Sequence, residues 1–323
     1  RFNAQNRVDA TLISNLRIMR RTLINQISKR CDKSKEIITG VVHALLSRSI
    51  FIKYLEERKD SNGETVFPQD FYCNFMESAK RYTDVLNSKE ATYNLFRILK
   101  DKFNGDTLQV SEIETEIITQ DDLDELRTFI LGDSELESRQ LTLWPIYSFD
   151  IIPIQLISSI YELFFHLSDE EDEKGTYYTP LHLVNLVMDE VYPWEGKYKD
   201  ISFFDPSCGS GIFLVEAYRR LVCRWMSQNA VQAITCDQLN LLLKNSIFGV
   251  DINEEAIRVA SFSLSLAMCD FLDPRSIWDK LSFPPLLGKN LISSDFFDED
   301  KSFNKERYDV IVGNPPWQSN ITE

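Results

Sequence analysis

Residues 200–221 read DISFFDPSCGSGIFLVEAYRRL: an apolar stretch from Ile201 to Phe204, a tight loop carrying Gly209 and Gly211, then a helical pattern. A short apolar strand that turns through glycines into a helix is the repeating step of a parallel α/β sheet. Glycines let the backbone adopt positive φ and pass close to a ligand, and the N–H groups of the helix start favour negative charge. The dinucleotide pattern G-x-G-x-x-G is incomplete, because Leu214 stands where the third glycine would be. The loop therefore points to a nucleotide-like ligand without choosing one.

Three further segments repeat the strand-and-loop pattern. SIFGVDIN (246–253) ends a strand in Asp251, placed to accept hydrogen bonds from both hydroxyls of a ribose, and leads into the helix EEAIRVASFSLSLAM. Asp251 lies 40 residues beyond Gly211, which predicts an extra helix around residues 239–245. GKNLISSDFFD (288–298) offers Asp295 to an exocyclic amine and Phe296 to a flat ring. In YDVIVGNPPWQS (308–319), Val310 to Val312 reads as an inner strand, and Asn314, Pro315, Pro316 and Trp317 fall just past its carboxyl end, where open α/β sheets place their ligands. Ahead of all these, GTYYTPLHLVNLVMDEV (175–191) predicts a helix with Thr179 as N-cap and Pro180 at the first helical position.

The first half has a different texture. Leu12, Leu16, Met19, Leu23 and Ile27 recur at helical spacing, and IITGVVHALLSRSIFIKYLEER (37–58) predicts a more deeply buried helix with His43 as a core or boundary residue. More helices are expected through residues 90–105 and 121–131, and the acidic run 168–175 reads as a solvated loop. The expected division is a mainly α-helical domain at 1–165 and a cofactor-binding domain at 166–323. The net charge is −15, but residues 1–53 hold eleven Lys/Arg against three Asp/Glu, so that end is basic and Arg17, Arg20, Arg21, Lys29 and Arg30 are candidate phosphate contacts. With 43% hydrophobic residues, no unbroken apolar run of membrane-spanning length and no secretory leader pattern, a cytoplasmic protein that uses no membrane is expected. The six cysteines are scattered without a C-x-x-C pair and there are three histidines, so reduced thiols and no metal site are expected.

GTYYTP, DPSCGSGIFL, GVDIN, SSDFF and GNPPW, in that order, resemble the N6-adenine DNA methyltransferases of restriction-modification and phage-defence systems. LLSRSIFIKYLEER, KDKFNGD and YSFDIIPIQLISSIYELFF resemble the helical region that precedes the methylase core in single-chain enzymes of this kind, so the resemblance covers most of the chain. It implies a Rossmann-like sheet that binds S-adenosylmethionine: the methionine part near Thr179, Pro180 and the loop of Asp205, Pro206, Ser207, Cys208, Gly209 and Gly211, the ribose on Asp251, and the adenine at Asp295 and Phe296. Asp205 has a second reading as a residue of loop geometry. Cys208 is a small loop residue, not a nucleophile. In the same resemblance the Asn314 side-chain oxygen and the Pro315 carbonyl accept the two N6 protons of the target adenine, Pro316 stiffens the loop, and Trp317 stacks on a base extruded from the duplex. The implied partner is double-stranded DNA, bound by the full-length protein, with specificity or nuclease subunits or domains as further candidates. The chain is expected to be a fragment whose sheet and target-recognition region continue beyond it, and therefore inactive alone. The competing readings are a non-catalytic assembly module on a methylase scaffold, and a methylase of RNA or of protein glutamine.

Overall fold

The stripe expected of the first helix is buried: Leu12, Leu16, Met19, Leu23 and Ile27 are each no more than 1% exposed on α1 (Ala4–Arg30). The computed structural model describes residues 4–132, 179–298, 303 and 307–315. The chain divides into two units, residues 1–152 with Asp273–Ser282, and residues 153–272 with 283–323. The boundary expected at 165 and the acidic run 168–175 lie outside the described residues.

In the first unit α1 packs on α2 (Lys35–Glu57), which starts at Ser34, whose hydroxyl accepts from the Ile37 N–H. Although the sequence has no unbroken apolar run, α2 is long and apolar enough to cross a membrane, yet 72% of its apolar window is buried inside the protein. It is a core helix whose apolar surface is already covered. Among the described residues four shorter α-helices follow: α3 (Tyr82–Val85), α4 (Lys89–Phe103), α5 (Glu112–Ile117) and α6 (Gln120–Leu131). Arg48, fully buried in α2, donates to Glu114 at 2.7 Å and to the Gln109 carbonyl at 2.5 Å, with its guanidinium 4.6 Å from the Phe96 ring centre. Removing one member of such a pair leaves a buried charge and costs about 3–5 kcal/mol. His43 is buried and accepts from Arg20 Nε at 2.8 Å. The basic face of α1 is thus divided: Arg20 turns to His43 and Arg30 to Asp122, while Arg17, Arg21 and Lys29 are exposed.

One piece of this unit comes from far along the chain. α11 (Pro274–Lys280) belongs to it, begun by Asp273, whose carboxylate accepts from the Ser276 N–H. Trp278 meets Phe67, Phe71 and Phe103 edge-on at 5.8, 5.1 and 6.2 Å, Lys102 lies 5.0 Å from its ring centre, and Arg275 pairs with Glu64.

The second unit is α/β. After α7 (Leu181–Val191) come β1 (Phe203–Asp205), α8 (Ile212–Gln228), α9 (Cys236–Ser246), β2 (Ile247–Asp251), α10 (Glu254–Cys269), β3 (Leu291–Ser293) and β4 (Val310–Ile311). All pairs are parallel, in the order β3-β2-β1-β4. α9 covers the helix expected around 239–245. Among the described residues β4 pairs with β1 alone, and Ile311 is 66% exposed. Strand alternation sends Phe203 towards Tyr192, while Phe204 stacks on Tyr308 at 4.4 Å in an aromatic cluster with Phe248, Phe296 and Phe303. The missing third glycine is explained by packing. Leu214 Cδ1 lies only 2.7 Å from where a Cβ on Gly249 would stand, so the small residue that lets helix and strand approach sits on β2 instead of α8.

Candidate active site

The loop after β1 is held by its own backbone and by the neighbouring strand. Asp205, 1% exposed, accepts from the Ser207 N–H at 3.1 Å; Cys208 N–H donates to the Val250 carbonyl at 2.9 Å; Gly211 N–H closes the turn on the Cys208 carbonyl at 2.7 Å. Gly211 needs its residue type twice over, with φ +81° and Ala260 Cβ 3.0 Å from where its own Cβ would be. As N-cap of α8 it brings no capping side chain, so the first-turn N–H groups of a 17-residue helix have no side-chain acceptor at the cap. Beside them the Ser207 hydroxyl is buried without a hydrogen-bond partner. Pro206 and Ser207 are half-buried.

Asp251 ends β2 and joins two backbones. Its Oδ2 accepts from the Gly209 N–H at 2.9 Å and its Oδ1 from the Asn253 N–H at 2.9 Å. The Cys208 thiol is pushed well above its ordinary range by burial, and further by the carboxylates of Asp205 and Asp251. A thiol held in its neutral form in this way is a poor nucleophile.

At the end of β4, Gly313 packs against the Asp205 carboxylate so closely that a Cβ there would stand 3.0 Å from Asp205 Cγ and closer still to Oδ1. Asn314, half-buried, donates from Nδ2 to Thr179 Oγ1 at 3.1 Å, and Pro315 is exposed. Thr179 was expected to cap the next helix. Instead Pro180 is the N-cap, in an extended conformation at ψ 138°, and α7 begins at Leu181. Pro has no side-chain donor or acceptor to offer, and the Thr179 hydroxyl is turned to a residue 135 positions away. Pro316 and Trp317 lie outside the described residues.

After β3, Asp295 is exposed and accepts from the Phe297 N–H at 2.9 Å, while Phe296 packs on Phe204 and Phe303 in the aromatic cluster. The exposed ring here is Phe297 at 83%, and at the end of β2 the neighbour of Asp251, Ile252, is 77% exposed. Neither residue was singled out in the sequence. Each stands directly after one that was, and a large apolar side chain left open beside polar strand ends is the signal that could have found it. No group of three or more His, Cys, Asp or Glu side chains suited to a metal occurs among the described residues.

With parallel strands, every one of these loops opens on the carboxyl edge of the sheet. The chain runs outward from β1 to β2 to β3 and then returns to the other side of β1 for β4, so the crevice between β1 and β4 is the topological switch point at which such sheets bind ligands. Residues 153–323 match the family model for N-6 DNA Methylase. The chain belongs to the N-6 DNA methylase family. Relatives of this N-6 DNA methylase chain include the type II restriction enzyme and methyltransferase RM.Eco57I of Escherichia coli, 24% identical over 220 residues that are 54% of this chain and 22% of that protein. Another is the adenine-specific methyltransferase PglX of Streptomyces coelicolor, 31% identical over 154 residues, 38% of this chain and 13% of that protein. Among solved structures, the type IIL restriction-modification enzyme MmeI in complex with DNA superposes with a TM-score of 0.48 at 15% identity, covering 91% of this chain and 41% of that one. The N-6 DNA methylase chain thus spans less than a quarter of the length of these two sequence relatives.

Proposed function

We propose that the intact protein transfers the methyl group of S-adenosylmethionine to the N6 amine of adenine in double-stranded DNA, in the cytoplasm, as part of a restriction-modification or phage-defence system. The observation that carries this reading is the strand order. Across β3, β2, β1 and β4 the loop residues run Asp295 and Phe297, then Asp251 and Ile252, then Gly209 and Gly211, then Asn314. That is the order in which adenine, ribose, methionine and acceptor amine must follow one another along one extended cofactor and its target.

The residues fit the cofactor chemically. A carboxylate has about four lone-pair positions; Asp251 uses two on backbone N–H groups, leaving about two for the ribose hydroxyls. The uncapped start of α8 and the partnerless Ser207 hydroxyl suit a carboxylate. Ile252 and Phe297 supply apolar surface for the adenine ring, each gaining about 25 cal/mol per Å² covered. When bound, the cofactor would supply an electrophilic sulfonium methyl to the N6 amine, the sulfur keeping the S–C electron pair and the displaced amine proton passing to solvent. The N6 lone pair is delocalised into the ring, so this chain's task is to localise it: the Asn314 side-chain oxygen and the Pro315 carbonyl accept the two N6 protons and aim the lone pair at the methyl. The exposed Arg17, Arg21 and Lys29 of α1 supply charge for the DNA phosphates.

The test is Asn314→Ala in the full-length protein. Turnover should fall about a hundredfold to a thousandfold, the effect of losing one transition-state hydrogen bond, with cofactor affinity nearly unchanged. Nucleoside analysis of the labelled duplex should find N6-methyladenine alone. Wild-type turnover in the variant removes Asn314 from the chemistry, and label on cytosine, RNA or protein removes the substrate.

A further inference from the structure

We propose that Thr179 is a positioning residue for Asn314: its hydroxyl takes the amide nitrogen and thereby sets the amide oxygen towards the target amine. This rests on the methyl-transfer reading above and deepens it. An Asn side chain presents two ends of nearly the same size, an acceptor oxygen and a donor nitrogen. Only the oxygen can accept a proton from adenine N6. With the nitrogen in that place, two donors face each other and the amine lone pair is not aimed. The active orientation must therefore be selected before the base arrives, because an amide free to turn would spend part of its time in the wrong one.

Three features make Thr179 the selecting group. Asn314 Nδ2 donates to Thr179 Oγ1 at 3.1 Å, a bond between segments 135 residues apart, so it belongs to the folded site and not to a local turn. Thr179 has no capping task, since Pro180 occupies the cap of α7. Both ends are anchored, Pro180 through its carbonyl to the Leu183 and Val184 N–H groups, and Asn314 by the Val312 N–H bond to Phe204 and by the packing of Gly313 on Asp205. The short rigid pieces hold the Thr179 hydroxyl on the nitrogen side of the Asn314 amide.

The experiment compares Thr179→Val and Thr179→Ser in the full-length protein, by single-turnover methyl transfer to duplex DNA at saturating S-adenosylmethionine and by equilibrium binding of the cofactor. Thr179→Val keeps the shape and removes the acceptor; the rate at saturating cofactor should fall about tenfold, the worth of one neutral hydrogen bond at the upper end of its range, and by more than cofactor affinity does. Thr179→Ser should recover most of the loss. In an Asn314→Ala background the Thr179→Val change should add less than about twofold, since the group it orients is gone. A rate unchanged in Thr179→Val, a loss confined to cofactor affinity, or a full further tenfold loss in the Asn314→Ala background each overturn the positioning role while leaving the methylase reading intact. A wild-type protein that labels no adenine defeats the methylase reading, and the positioning role with it.

Discussion

Gly313→Ala is the sharpest probe of how the end of β4 is joined to the loop after β1. The added methyl would stand 3.0 Å from Asp205 Cγ and nearer still to Oδ1. Asp205 cannot simply swing away, because it is 1% exposed and its Oδ1 is engaged by the Ser207 N–H. Overpacking of this kind costs about 1–3 kcal/mol. Asp205→Ala alone should cost a similar amount, about 1–3 kcal/mol, by leaving the Ser207 N–H without its acceptor. Together the two changes should cost less than their sum, because the clash has lost its second member; a coupling of about 1–2 kcal/mol is expected. The chain has two units, so a global melt would mix their transitions, and the measurement should be hydrogen exchange on peptides spanning 201–211 and 307–313, read in all four proteins. Losses that add to within about 0.5 kcal/mol would refute the close approach of Gly313 and Asp205, and with it the steric reason for a glycine ahead of Asn314.

Trp278→Ala should loosen the helical unit, not the sheet: losing a half-buried Trp among Phe67, Phe71 and Phe103 should cost about 2–4 kcal/mol, seen as lost exchange protection in α4 with protection in β1 and β2 retained. Loss in the sheet alone would contradict the placement of α11. The raised Cys208 pKa disfavours its thiolate, so at pH 8 iodoacetamide should modify the exposed Cys73 in minutes and leave Cys208 untouched until denaturant is added, as peptide mass spectrometry would report. Fast native labelling of Cys208 would show that burial does not control it.

The local steps of the second unit could be read from sequence because each is written in consecutive residues. Ile201 to Phe204, Gly209 and Gly211 announce strand, turn and helix, and Asp251 marks the end of the next strand. What could not be read depends on residues brought together by topology. Leu214 looks like a broken fingerprint until Gly249 is seen opposite it. Thr179 and Pro180 look like a helix start, and Pro180 does cap α7, but the partner of the Thr179 hydroxyl lies at Asn314. Phe296 and Phe297 are identical in sequence, and only the turn after β3 and the aromatic cluster decide which ring turns inward. The pairing of Arg20 with His43 shows the same limit in the helical unit, since a count of basic residues on α1 does not reveal which are already engaged.

The membership of Asp273–Ser282 in the first unit sets an order of events on the ribosome. Residues 1–152 are made first, but the aromatic recess of Phe67, Phe71 and Phe103 waits for Trp278. At about 5–20 residues per second the intervening stretch takes roughly 6–24 seconds to synthesise. During that interval the nascent helical unit shows the world an unfilled apolar notch, the kind of surface that chaperones hold and that neighbouring nascent chains can capture. Synonymous codons that slow translation between residues 153 and 272 should lengthen the exposure and lower the soluble yield without changing a single amino acid.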